Sequence, residues 1–93
     1  MYKILAKGKF VKSISRLRSS KSWNEAKMRA TLDMLAYGAS FPAIFRDHQL
    51  QGELGEYREC HIKHDLLLIY SRDERNRIVT LFNIGTHDDL FGR

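Results

Sequence analysis

The chain has four histidines, His48, His61, His64 and His87, all in its second half. Three of them sit beside polar residues at the ends of apolar segments, where side chains project from a scaffold. His48 follows Arg46-Asp47, His61 and Asp65 flank a turn between two apolar runs, and His87 follows Gly85-Thr86. Imidazole exchanges a proton near neutral pH because its unperturbed pKa is about 6.5. Two or three imidazoles with a carboxylate can supply a base, an acid and an orienting group. RNA brings its own nucleophile, the 2′-hydroxyl. Cleaving it without a metal takes a base for that hydroxyl, a cation for the phosphorane charge and an acid for the departing 5′-oxygen. Arg46, Arg58 and Lys63 are close in sequence and are the candidate cations.

Each of these residues also has a plainer reading. A single histidine is more often a surface or hydrogen-bonding residue than a catalyst. Zinc is the next alternative, but there is no HExxH or paired-cysteine motif and the spacings match no standard ligand set. The expectation is therefore no metal and no cofactor. The lone Cys60 reads as a small buried strand residue, and Trp23 and Met28 as core or partner-facing helix residues. Phe91 follows His87 by four positions. At a chain end it either stacks on a nucleobase or anchors the tail with Leu90.

The elements that must position these groups follow from periodicity. Tyr2–Ala6 reads as a short strand. A helix is predicted from about Lys9 to Ser19, with Phe10, Ile14 and Leu17 as its apolar stripe and Lys9, Lys12 and Arg16 as a basic ridge. Ser22-Trp23-Asn24-Glu25 has the pattern of a capping box. It predicts a second helix to Tyr37, buried through Met28, Leu32, Leu35 and Ala36 and stopped by Gly38. Pro42 can open a single helical turn. Beyond it, residues 57–62 alternate, 66–70 form a continuous apolar run typical of a central strand, and 77–82 form a last strand after the polar turn 73–76. Two helices followed by antiparallel strands predict an α+β fold, with the helices on one sheet face and the other face open.

Ninety-three residues are expected to form one domain over residues 1–93. A composition of 43% hydrophobic and 29% charged residues with one proline is that of a globular chain rather than a disordered one. No apolar run approaches the roughly 20 residues needed to span a membrane. The N-terminus lacks the apolar stretch of a secretion signal, so a cytoplasmic location is expected. The net charge of +5 is unevenly placed: residues 1–30 hold nine Lys or Arg and one acid, the remainder seven and ten. A basic first third favours a polyanionic partner.

Three segments carry a resemblance. Residues 45–52, Phe-Arg-Asp-His-Gln-Leu-Gln-Gly, are similar to a DHxLxG block. Residues 57–70 resemble a YRxxHIxPDxLLIY block, and residues 84–91 resemble a GTHxxLF ending. In that order, over about half the chain, they resemble the YafQ-type branch of the RelE/ParE toxin superfamily. The resemblance implies two N-terminal helices packed on an antiparallel sheet. It implies an endoribonuclease that cuts mRNA on the translating ribosome and is neutralised by a cognate antitoxin, expected to be of ribbon-helix-helix type. It makes His48, His61, Asp65 and His87 the active-site residues, with His87 as general acid, and Phe91 an aromatic that serves activity. Arg46, Arg58 and Lys63 remain the candidate RNA contacts. Three positions depart from the pattern: His64 replaces a proline, Leu66 a common Trp, and Asn83 an Arg found in many relatives.

Two other functions compete. One is a toxin of the same superfamily that acts by binding alone, such as a gyrase inhibitor or a regulator of its own operon. The other is an unrelated basic nucleic-acid-binding domain. The concentration of histidines favours the nuclease, because a binding toxin has no use for them.

Overall fold

The computed structural model describes residues 1–92, so Arg93, the last residue of the expected domain, lies outside them. Strand β1 (Lys3–Ala6) leads into helix α1 (Gly8–Leu17) and helix α2 (Glu25–Tyr37). Strands β2 (His48–Gln49), β3 (Arg58–Lys63), β4 (Leu66–Asp73) and β5 (Ile78–Gly85) follow, and helix α3 (His87–Phe91) ends the described chain. The five strands make one sheet in the order β1-β5-β4-β3-β2. Strands β2 to β5 pair antiparallel, while β1 runs parallel to β5 with Ile4 opposite Val79. The fold is α+β with two N-terminal helices, as predicted. The sheet is mixed rather than purely antiparallel, because the two helices return the chain to the far edge before β1's partner is reached.

The core lies between the helices and one sheet face. Phe10, Ile14, Met28 and Leu35 pack with Cys60, Ile62, Leu68, Tyr70, Val79, Leu81 and Ile84. The run Leu66–Tyr70 is buried at every position, as expected of a central strand. Thr31 joins the α2 stripe although it is polar, its Oγ1 donating to the Lys27 carbonyl at 2.8 Å. Leu32 and Ala36, predicted for that stripe, are only partly buried.

The capping box predicted at Ser22–Glu25 does not form. Asn24 is the N-cap instead, its side chain accepting from the Lys27 amide at 3.0 Å. Glu25 is drawn outward by Arg18 at 3.0 Å and by Trp23 Nε1 at 2.6 Å, and a carboxylate held there cannot reach back to a cap. Gly38 ends α2 as predicted, at φ +72°, beneath the Tyr2 ring. Each of two strands carries an extra residue relative to its neighbour. Ile62 of β3 lies between the pairs His61–Leu67 and Lys63–Leu66, and Phe82 of β5 between Asn83–Ile69 and Leu81–Tyr70. Such bulges bend a strand and re-aim its side chains. The first of them adjoins His61.

Candidate active site

His48, His61, Asp65 and His87 line one cleft of about 440 Å³, together with Arg46, Glu59, His64 and Asp88. Four different pieces of local structure bring them there.

His87 is the first residue of α3, and the sequence Gly85-Thr86-His87 explains its place. Thr86 Oγ1 accepts from the Asp89 amide at 3.1 Å, and Asp89 answers by accepting from the Thr86 amide at 3.0 Å. This is a capping box that starts the helix at His87. Gly85 lets the turn close: a Cβ there would stand 2.8 Å from the Asp89 Cβ. Asp65, in the turn between β3 and β4, then accepts from the His87 amide at 3.1 Å and lies 2.8 Å from His87 Nδ1. An ionised carboxylate only accepts, so Nδ1 carries the hydrogen and Nε2 is left as the exchanging nitrogen. The same hydrogen bonds hold the Asp65 carboxyl below the usual carboxylate range, the side-chain bond to His87 contributing most.

His61 lies mid-strand on β3, with its ring centroid 5.9 Å from that of His87. Its side chain is 9% exposed. Burial pushes its pKa below the ordinary histidine value; the carboxylate of Glu59 opposes this, while Arg46, His87 and His48 add to it. The ring is therefore neutral at physiological pH, the state a proton acceptor needs.

Glu59 was not among the residues singled out from sequence. It lies two positions before His61 on the same strand face, and its side chain is only 7% exposed. One oxygen, Oε1, stands 3.3 Å from His48 Nε2 and 3.6 Å from His61 Nε2. The period-2 alternation of β3 was the signal that could have found it. His48 reaches Glu59 from the neighbouring strand, where the two residues are register partners. Its Nδ1 lies 2.8 Å from the Arg46 carbonyl, so both of its ring nitrogens face oxygens that only accept. Arg46 adopts φ +51°, a conformation uncommon outside glycine, and this turn aims its carbonyl at His48.

The other expected RNA contacts are spread more widely. The Arg58 guanidinium pairs with Asp47 at 2.9 Å, and Asp47 also accepts from the Tyr70 hydroxyl at 2.5 Å. This network lies in a separate hollow with Phe41 and Arg72. The Lys63 amine donates to the Ser22 carbonyl, tying the β3 end to the start of α2. Phe91 is 41% exposed at the end of α3. Asn83 accepts from Ser13 Oγ at 2.8 Å and from the Ile84 amide at 2.9 Å, so the position joins α1 to β5. Cys60 is fully buried and burial pushes its thiol up, which leaves it inert. Among the described residues no group of three His, Cys, Asp or Glu side chains is arranged to hold a metal ion, and no helix is long and apolar enough to cross a membrane.

A family model described as "Bacterial toxin of type II toxin-antitoxin system, YafQ" matches residues 2–92. The chain belongs to the YafQ toxin family. It is 35% identical over 72 residues to the mRNA interferase toxin YafQ of Escherichia coli K12, covering 77% of this chain and 75% of that one. Among solved structures, a metal-bound toxin from Helicobacter pylori superposes with a TM-score of 0.89 at 31% identity, over 98% of this chain and all of that one. YafQ in the E. coli DinJ–YafQ complex gives 0.85 at 28% identity, over 99% and 100%. Membership of this family accords with the three sequence blocks and with the two-helix, mixed-sheet fold.

Proposed function

We propose that this YafQ-family toxin is an mRNA endoribonuclease that works by acid–base catalysis, and that the four residues expected from sequence form its catalytic group with Glu59. The observation that carries the reading is the pairing of two differently held imidazoles. His61 is buried and neutral, while His87 is fixed by Asp65 with its Nε2 free for exchange. A buried neutral imidazole can accept a proton, and an imidazole whose Nδ1 is tied to a carboxylate presents Nε2 to deliver one.

In the proposed reaction His61 takes the proton of the 2′-hydroxyl. The 2′-oxygen forms a bond to phosphorus, and the bond from phosphorus to the 5′-oxygen breaks. His87 Nε2 delivers a proton to that oxygen. The products are a cyclic 2′,3′-phosphate and a 5′-hydroxyl. Arg46, which lines the same cleft, supplies positive charge to the phosphoryl oxygens, and His48, with both ring nitrogens engaged, holds Glu59 in place. Asp65 and Glu59 act through the imidazoles they hold. The shared names of the E. coli relatives, mRNA interferase toxins, support the substrate. The DinJ–YafQ complexes support an antitoxin partner. A ribbon-helix-helix antitoxin, action on ribosome-bound message and a cytoplasmic location complete the reading. It agrees with the basic first third of the chain.

The test is induction of the toxin without its antitoxin, followed by mapping of 5′ ends on translated mRNA. New ends are expected within minutes for the wild type and none for His61→Gln or His87→Gln. Growth arrest with unbroken message, or undiminished cleavage by His87→Gln, overturns the reading.

A further inference from the structure

A second cleft of about 470 Å³ lies between α2 and β3 and opens beside the catalytic one. Arg46, His61 and His64 line both. Its volume is within the range of small-molecule sites, about 300–1,000 Å³. Ala30 on α2, Ile44 and Phe45 in the turn after Pro42, and Ile62 at the β3 bulge supply apolar surface. Phe45 stacks on Phe41 at a centroid distance of 4.7 Å, which holds its ring in the wall of the cleft. Lys27, Arg46 and Lys63 line the same cleft, and no acidic residue does.

An apolar slot whose charged edges are Lys and Arg, with no carboxylate, fits a segment that alternates flat rings with phosphates. Single-stranded RNA is such a segment, and proteins that read it splay individual bases into pockets of this kind. The location narrows the choice of base. The slot is lined by His61, assigned above as the base at the 2′-hydroxyl, and not by His87, the acid at the departing 5′-oxygen. The geometry points to a subsite for the base of the nucleotide on the 5′ side of the cleaved bond, the one that contributes the attacking 2′-hydroxyl. The proposal rests on the RNA-cleavage reading given above. Arg46 joins the two clefts: its left-handed backbone aims the carbonyl at His48, and its side chain lines both spaces.

The subsite is tested by pairing a pocket variant with a missing base. Ala30 is exposed on α2, so Ala30→Trp can fill the slot without entering the core. Ile44 is 81% exposed, so Ile44→Ser tests the opposite wall with little risk to folding. Single-turnover cleavage is measured on ribosome-programmed mRNA carrying an abasic residue either 5′ or 3′ of the cut bond. For the wild type, the 5′ abasic residue is expected to slow cleavage about tenfold and the 3′ one much less. Ala30→Trp is expected to slow cleavage of intact message about tenfold and to show no further loss with the 5′ abasic residue. Ile44→Ser is expected to show a smaller loss with the same non-additivity. Additive losses, or a 3′ effect as large as the 5′ one, overturn the subsite while leaving the nuclease reading standing. A wild type that cuts no message overturns the nuclease reading itself, and the subsite with it. Antitoxin affinity is measured on the same variants. Weakened antitoxin binding with additive cleavage losses assigns the slot to the antitoxin and overturns the RNA proposal.

Discussion

Glu59→Gln separates what the buried carboxylate does for stability from what it does for the reaction. Glutamine keeps the shape and removes the charge. One Glu59 oxygen stands 3.3 Å from His48 Nε2 and 3.6 Å from His61 Nε2. A unit charge pair at this separation interacts by about 1 kcal/mol in a water-like medium and about 4 kcal/mol at an effective dielectric of about 20. That interaction exists only while an imidazole is cationic. The sign follows from His61, whose folded pKa lies below its unfolded value. Folding therefore disfavours its protonation, and this group's contribution to stability is lost as pH falls through the unfolded value of about 6.5. Glu59 is the one carboxylate that counters the effect, so its removal deepens the loss. Glu59→Gln is thus expected to destabilise the protein by about 1 kcal/mol more at about pH 5.5 than at about pH 8.5, since one histidine proton one unit below its unfolded pKa carries at most about 1.4 kcal/mol. At the higher pH it is neutral or stabilising, because a desolvated charge has been removed. Urea denaturation at the two pH values measures the difference. In single-turnover cleavage the acid limb of the pH–rate profile is expected to move to lower pH, since the base at His61 then protonates less readily. A stability change independent of pH together with an unmoved acid limb would refute the assignment of Glu59 to the histidine pair.

Other consequences follow from named contacts. Asp65→Ala is expected to slow cleavage about tenfold or more and to have no further effect in a His87→Ala background, because it acts through that ring; independent losses in the double-mutant cycle would place Asp65 on the substrate instead. Gly38→Ala forces a side chain into a left-handed position with its Cβ 2.9 Å from the Tyr2 ring. A cost of about 1–3 kcal/mol is expected to lower the Tm by about 4–8 °C per kcal/mol, and an unchanged Tm would contradict it. Asn83→Arg exchanges the Ser13 contact, worth about 0.5–1.5 kcal/mol, for a cation, and cleavage is expected to rise severalfold if the added charge reaches the phosphoryl group; an unchanged rate shows that this position does not face it. Phe91→Ala should leave the Tm nearly unchanged at this exposed site while weakening message binding by about 1–3 kcal/mol if the ring stacks on a base. Equal binding by both forms assigns Phe91 no RNA contact.

The sequence by itself determined the elements whose signals are local. The central strand was legible because five consecutive apolar residues need burial on both faces. The α2 stop was legible because Gly38 takes a conformation other residues avoid, and the histidines proposed here as catalytic were singled out because their motif blocks stood in order. What it misassigned or missed depended on partners distant in the chain. Ser22 and Glu25 spell a cap, yet Arg18 and Trp23 compete for the carboxylate and Asn24 takes the role. Strand β1 finds its parallel place only when β5 exists to receive it, and two-residue β2 has no period to read at all. Tertiary structure alone decided the charge environment of the site. Glu59 looked like an ordinary alternating residue until β2 laid His48 against it. Arg58, close to the histidines in sequence, proved to be held by Asp47 instead. Pattern along a chain fixes which face a residue can occupy, but the strength and sign of its interactions depend on what the fold brings within a few ångströms and on how much water is excluded there.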